Sequence, residues 1–240
     1  MDKLYIVMPA YNEEENIRTV VEQWYPLLEG KSEESRLIIA DSGSSDKTHE
    51  ILLEMMWEDR YSKLRVLEST NQFHGPKLIA LYEYAIAQKA EYIFQTDSDG
   101  QTDPEEFDWF WNMRKQADGI FGNRKRRGDG KNRAFVEKVV CMLLKIYFGV
   151  KVPDANAPFR LMKTDVVAKY LHKLPKDYNL PNIMLVVYYL YYSEKTIFHE
   201  ISFKAREKGE NSINIPRIIN IGCKALVDFA ILRGAMKTNE

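Results

Sequence analysis

The chain has 240 residues, 45% hydrophobic and 29% charged, which fits one globular domain with room for a substantial core. Its 34 Lys and Arg balance 35 Asp and Glu for a net charge of -1, which gives no general pull toward nucleic acid. Cys141 and Cys223 lie far apart with no C-x-x-C, and His49, His74, His172 and His199 show no ligand spacing. A disulfide framework and a zinc site are therefore not expected, and both cysteines read as buried thiols.

The predicted elements alternate through the first half. "KLYIVMP" is β-branched and aromatic. "YNEEENIRTVVEQWYPLL" then carries helical spacing at Ile17, Val20, Val21, Trp24 and Leu28, with Asn12 expected to cap it. "RLIIAD" is a second strand, and "SGSSDKTHEILLEMM" a second helix with Ser45 expected as N-cap and Asp46 with Thr48 at its start. "KLRVLES" is a third strand, "GPKLIALYEYAIAQKA" a third helix and "EYIFQT" a fourth strand. Strand and helix alternating across short Gly, Ser and Asp links imply parallel βαβ units with right-handed crossovers. Ligands in such sheets bind at the carboxyl ends of the strands.

Immediately after the fourth strand, "QTDSDGQTDPEE" packs five acids into twelve residues, Gln95 to Glu106. From Gln95 it nearly fits a calcium loop, with Asp97, Asp99, Gly100 and Glu106 at the third, fifth, sixth and twelfth positions. A calcium loop, however, is entered from a helix, whereas "YIF" is a strand; Gln95 is a poor first ligand and Pro104 interrupts the coordinating stretch. Asp103 before Pro104 reads as a helix cap. That leaves Asp97 and Asp99, a D-x-D at a strand end, where two carboxylates suit a divalent cation carrying a phosphorylated ligand.

Farther on, "GIFGNRKRRGDGKNR" follows the expected start of a fifth strand and reads as a basic loop. It carries Arg124, Lys125, Arg126, Arg127, Lys131 and Arg133, with Gly128 and Gly130 as hinges for a lid. The longest apolar run, "IMLVVYYLYY", is about half the length of a membrane-spanning helix. The tail "IPRIINIGCKALVDFAILRGAMK" alternates apolar positions with Arg217, Lys224, Arg233 and Lys237, suiting core packing or an interfacial helix. No targeting segment is visible, since the apolar start stops at Pro9.

Four motifs in order, "VMPAYNEEENI", "IIADSGSSDKT", "TDSDGQTDP" and "DANAPFRLMK", resemble family 2 glycosyltransferases of the GT-A fold. Within them the dolichol- and polyprenol-phosphate sugar synthases are most similar. The resemblance covers about Leu4 to Ser212. It implies a GT-A domain over 1–212, an α/β architecture with a mostly parallel sheet and helices on both faces. A C-terminal amphipathic segment over 213–240 would face a membrane or a partner.

The resemblance also implies roles. Pro9, Tyr11, Glu13 and Asp41 would hold the nucleoside, although the family's second acid after Asp41 is Ser42 here. Asp97, Asp99 and Gln101 would hold Mg²⁺ or Mn²⁺. Arg124, Arg133, Arg206 and Ser212 would contact phosphates. Asp154 stands where many members place a Glu-Asp pair, and no Q-x-x-R-W follows. Thin base machinery favours an acceptor that is itself a phosphate, with Asp154 orienting it and Asp99, Arg124 and Arg133 completing the catalytic set. The implied activity is inverting, metal-dependent sugar transfer from a nucleotide-diphosphate sugar to polyprenyl or dolichyl phosphate, on the cytoplasmic side, at a membrane surface or through a membrane partner subunit. Transfer to a glycan hydroxyl with Asp154 as base, and a non-catalytic nucleotide-sugar-binding subunit, remain as alternatives.

Overall fold

The structure, a computed structural model, describes residues 1–68, 70–127, 131–206 and 215–238; the side chains of 126, 127, 131–133, 215–223, 237 and 238 lie outside the description. Arg133 and Ser212, like the glycine hinges Gly128 and Gly130, therefore fall outside the described residues or side chains.

A seven-stranded sheet organises the chain in the order β3-β2-β1-β4-β6-β5-β7. Its strands are β1 (Leu4–Ala10), β2 (Arg36–Asp41), β3 (Leu64–Leu67), β4 (Tyr92–Thr96), β5 (Gly119–Arg127), β6 (Phe159–Lys163) and β7 (Thr196–Phe203). All neighbours run parallel except β6, which is antiparallel to both β4 and β5. The mostly parallel α/β expectation holds.

Helices cover both faces, so the central strands are apolar on both sides. Along β1 the pleat sends Leu4, Ile6 and Met8 to one core and Tyr5 and Val7 to the other. The first core takes α1 (Ile17–Trp24), α2 (Thr48–Trp57) and α4 (Phe107–Met113) through Val20, Trp24, Leu52, Met55 and Phe110. The second takes α3 (His74–Ala87), α5 (Lys131–Phe148), α6 (Thr164–Leu171), α7 (Pro181–Tyr191) and α8 (Ile215–Thr238). The apolar run at 183–192 is mostly α7, buried from Pro181 through Tyr189 beneath the sheet. No helix among the described residues is long and apolar enough to cross a membrane.

Three local expectations change. Asn12 does not cap α1: it sits at φ 55 and its Oδ1 accepts from Ser45 N at 2.8 Å, stitching the β1 loop to the β2 loop. Ser45 is consequently spent on that stitch, while the expected Asp46–Thr48 pairing does hold the start of α2, Asp46 Oδ1 accepting from Thr48 N at 3.0 Å. Arg124 to Arg127 belong to β5 and not to a loop, because β5 continues past a register shift between Asn123 and Arg126 to pair with β7. The helix-cap reading of Asp103 stands, its Oδ1 accepting from Glu105 N at 3.1 Å.

Order 2-1-4 around β1 makes a switch point, where the connections leave in opposite directions from the carboxyl ends of β1 and β4. Tyr11 and Glu13 follow β1, Asp41 ends β2, and Asp97 and Asp99 follow β4, so the topology gathers them at that crevice.

Candidate active site

The loop after β4 is pinned at several points. Ser98, buried between the two aspartates, donates from Oγ to Pro9 O at 2.8 Å, tying the loop to the end of β1. Thr96 and Thr102 hydroxyls meet at 2.8 Å and close the loop's base. Gly100 takes φ +72, a left-handed turn that a side chain would strain, and Gln101 N then donates to Asp99 Oδ1 at 3.1 Å. Gln101 itself is buried; its Nε2 donates to Lys204 O at 2.8 Å while Lys204 N donates to Gln101 O at 2.8 Å. That exchange leaves the side-chain oxygen of Gln101, not its nitrogen, as the atom able to meet a cation.

Burial raises the carboxyl of Asp97 above the ordinary carboxylate range, and burial together with the charge of Asp97 does the same to Asp99. Among the described residues neither forms an ion pair. Two desolvated carboxylates that repel one another fit a hard divalent cation, which would relieve both costs at once. No third carboxylate, His or Cys joins them as a ligand set among the described residues. A cation there would complete its shell from ligand phosphates and water.

Beside them lies the β1 end. Glu13 is buried, and Arg206 Nη2 donates to both its oxygens at 2.8 Å while Asn16 Nδ2 donates to Oε2 at 2.8 Å. Burial nevertheless lifts the Glu13 carboxyl to about 7, with the negative charge of Asp99 pushing the same way. Arg206, expected to hold a phosphate, thus sits on Glu13 with its charge felt by Asp99. Asp41 is buried, accepting from Ser44 Oγ at 2.5 Å on one oxygen and lying 3.2 Å from His49 Nδ1 on the other. The Tyr11 ring is 44% exposed and stands over Lys77 Nζ, 5.3 Å from the ring centroid, as a flat surface for a base to stack on.

Arg124 and Asp154 come together, on each other. Arg124 Nε donates to Asp154 Oδ2 at 2.7 Å and Nη2 to Oδ1 at 2.8 Å, with Arg124 N adding a third bond at 3.1 Å. Asp154 is only 3% exposed, and Glu137 lies 3.5 Å from Arg124 Nη2. A carboxylate held by a guanidinium fork and buried is a strong acceptor and a poor proton abstractor.

Sequence reading missed three residues. Lys77 is 1% exposed, donates to Ala10 O at 2.5 Å and is lowered to about 8 by burial. Arg160, inside the motif "DANAPFRLMK", is 1% exposed and gives its guanidinium to the carbonyls of Ala157, Asn182 and Ala155. Asn182 is buried on α7 beside it. A charge or amide inside an apolar run, as in "PFRLM", is the one signal that points to them.

The profile of a sequence family described as Glycosyl transferase family 2 matches residues 5–171. A curated relative from Photorhabdus laumondii subsp. laumondii, an undecaprenyl-phosphate 4-deoxy-4-formamido-L-arabinose transferase, is 24% identical over 91% of this chain and 65% of its own length. The protein of the same name from Pectobacterium carotovorum subsp. carotovorum is 24% identical over 90% of this chain and 64% of its own. The chain thus spans just under two thirds of these relatives. Among solved structures, glucosyl-3-phosphoglycerate synthase from Mycobacterium tuberculosis, in complex with Mn²⁺, UDP-glucose and phosphoglyceric acid, superposes with TM-score 0.68 at 17% identity. That match covers 97% of this chain and 79% of the other. The chain belongs to glycosyl transferase family 2, and its fold is that of the GT-A glycosyltransferases.

Proposed function

We propose that this family 2 glycosyltransferase moves a sugar from a nucleoside-diphosphate sugar to a polyprenyl phosphate, with inversion and with Mg²⁺ or Mn²⁺ bound by Asp97 and Asp99. Tyr11 offers its exposed ring to the base. Asp41 and Glu13 would line the nucleoside end, and Arg206, held on Glu13 with its charge felt by Asp99, would meet the diphosphate. The cation, when bound, neutralises the donor diphosphate and eases its departure. Asp97 and Asp99 supply the two charges that hold it, in a loop whose hydrogen bonds fix them before the donor arrives.

The acceptor assignment rests on one observation: Asp154, the carboxylate that motif order puts at the base's position, is buried and closed on Arg124. A hydroxyl acceptor needs its proton removed. A phosphate monoester, with a second pKa of about 6, is already nucleophilic at neutral pH. Attack by its oxygen on the anomeric carbon, opposite the departing diphosphate, inverts that centre and asks only for orientation. The named activity of the undecaprenyl-phosphate relatives supports the same acceptor class.

The test is to offer a panel of nucleoside-diphosphate sugars with Mn²⁺ to the full chain, with undecaprenyl phosphate in one arm and unphosphorylated undecaprenol or free sugars in the other. A glycosylated lipid phosphate is the expected product, read by mass. Product from the hydroxyl arm alone would overturn the acceptor assignment.

A further inference from the structure

A line of buried polar side chains runs from two helices to the first aspartate of the D-x-D. Tyr82 on α3 donates from its hydroxyl to Asn182 Oδ1 at 2.6 Å. Asn182 on α7 donates from Nδ2 to Gln95 Oε1 at 3.0 Å, and Gln95 on β4 donates from Nε2 to Asp97 Oδ1 at 3.2 Å. Tyr82, Asn182 and Gln95 are at most 2% exposed.

The direction of this line is forced. An ionised carboxylate only accepts, so Gln95 must turn its NH₂ to Asp97 and its oxygen to Asn182. Asn182 must then answer with its own NH₂, which leaves its oxygen for Tyr82, and Tyr82 must donate. Every donor points toward the charge, and bonds aligned this way in a low-dielectric interior strengthen one another. Arg160 adds to the same end. It pairs with Gln95 across the β4–β6 ladder, and its guanidinium is bound to three carbonyls, one of them Asn182 O at 2.5 Å. Those bonds to Ala157, Asn182 and Ala155 fix the backbone of Asn182 beside the relay.

We infer that Tyr82, Asn182 and Gln95 are positioning residues, a one-way hydrogen-bond relay that fixes Asp97 through Oδ1 and turns its other oxygen to the cation of the donor complex. The inference rests on the proposed reading of Asp97 and Asp99 as the cation's ligands. Structural packing alone would account for Tyr82 and Asn182 being buried. It would not require all three donors to be aligned on one carboxylate.

Mn²⁺ binding separates these accounts without turnover, by counting free Mn²⁺ with electron paramagnetic resonance in the presence of UDP or GDP, whichever binds the wild type. Partners behind metal ligands are worth about 10- to 100-fold in affinity. Asn182→Leu, which leaves Gln95 without its donor, should weaken Mn²⁺ binding by about tenfold. Tyr82→Phe, which removes only the far hydroxyl and keeps the ring, should weaken it by less but measurably. Tyr189→Phe is the control, because Tyr189 is equally buried and its hydroxyl has no hydrogen-bond partner among the described residues; it should bind Mn²⁺ as wild type does. If Asn182→Leu does not fold, Tyr82→Phe against Tyr189→Phe carries the test alone. Wild-type Mn²⁺ affinity in the relay variants, with Asp99→Ala abolishing it, would overturn the relay and leave the site standing. Unchanged Mn²⁺ binding in Asp99→Ala would overturn both.

Discussion

Two acidic centres lie at the same end of the sheet's central strands and have opposite designs. At Asp154 the negative charge is met: Arg124 closes on it with two nitrogens and Glu137 stands behind the guanidinium. At Asp97 and Asp99 burial raises both carboxyls and the charge of Asp97 adds to the rise at Asp99, with no ion pair to either among the described residues. The first is paired within the chain; the second, on the proposed reading, would be completed by a cation. Residue type does not tell them apart, since both are aspartates in glycosyltransferase motifs. Their partners do.

The contrast breaks most visibly at the closed centre. Removing one member of a buried pair strands the other, at about 3–5 kcal/mol. Asp154→Ala should therefore lower the melting temperature by on the order of 10 °C for a chain of this size, read by calorimetry. An Asp154 that served as the base would instead lose kcat with the melting temperature unmoved. Arg124→Lys sharpens the same point with a smaller effect. Lysine keeps the charge and gives up the fork, so about 1.5–3 kcal/mol should be lost in denaturant unfolding. Should stability hold while kcat/KM falls, Arg124 would be serving a ligand phosphate instead of Asp154.

A third prediction concerns Lys77, buried beneath Tyr11. Its folded-state pKa is lowered to about 8 from 10.5, so between those values the unfolded chain binds more protons than the native one. Stability contributed by this group therefore rises with pH from about 8 toward 10.5. The difference in unfolding free energy between wild type and Lys77→Met should change across that window in favour of wild type. A pH-independent difference would mean that Lys77 titrates normally.

Much of this was legible beforehand, for physical reasons that also mark where legibility stopped. Short β-branched and aromatic runs point to β1 to β4 and helical spacing to the helices between them, and a D-x-D after a strand marks Asp97 and Asp99 as candidates, because local sequence encodes each. The caps of α1 and α2 were misread because Asn12 and Ser45 bond to each other, 33 residues apart, instead of to their own helices. Basic residues 124–127 read as a loop from their charge, yet pairing with β7 carries them into β5. The relay joins positions 87 and 100 residues apart, and Asp154 meets Arg124 across 30. No periodicity records such partnerships, so a motif can propose a residue without saying whether its charge is already spent.

The most direct measurement of the open centre is binding of UDP or GDP with and without Mn²⁺, by titration calorimetry, in wild type and in Asp99→Ala. The site described here requires the wild type to bind nucleotide much more tightly with Mn²⁺ than without, and Asp99→Ala to lose that difference while keeping its fold by circular dichroism. An Asp99→Ala protein that binds the nucleotide with the same Mn²⁺ dependence as wild type would contradict it.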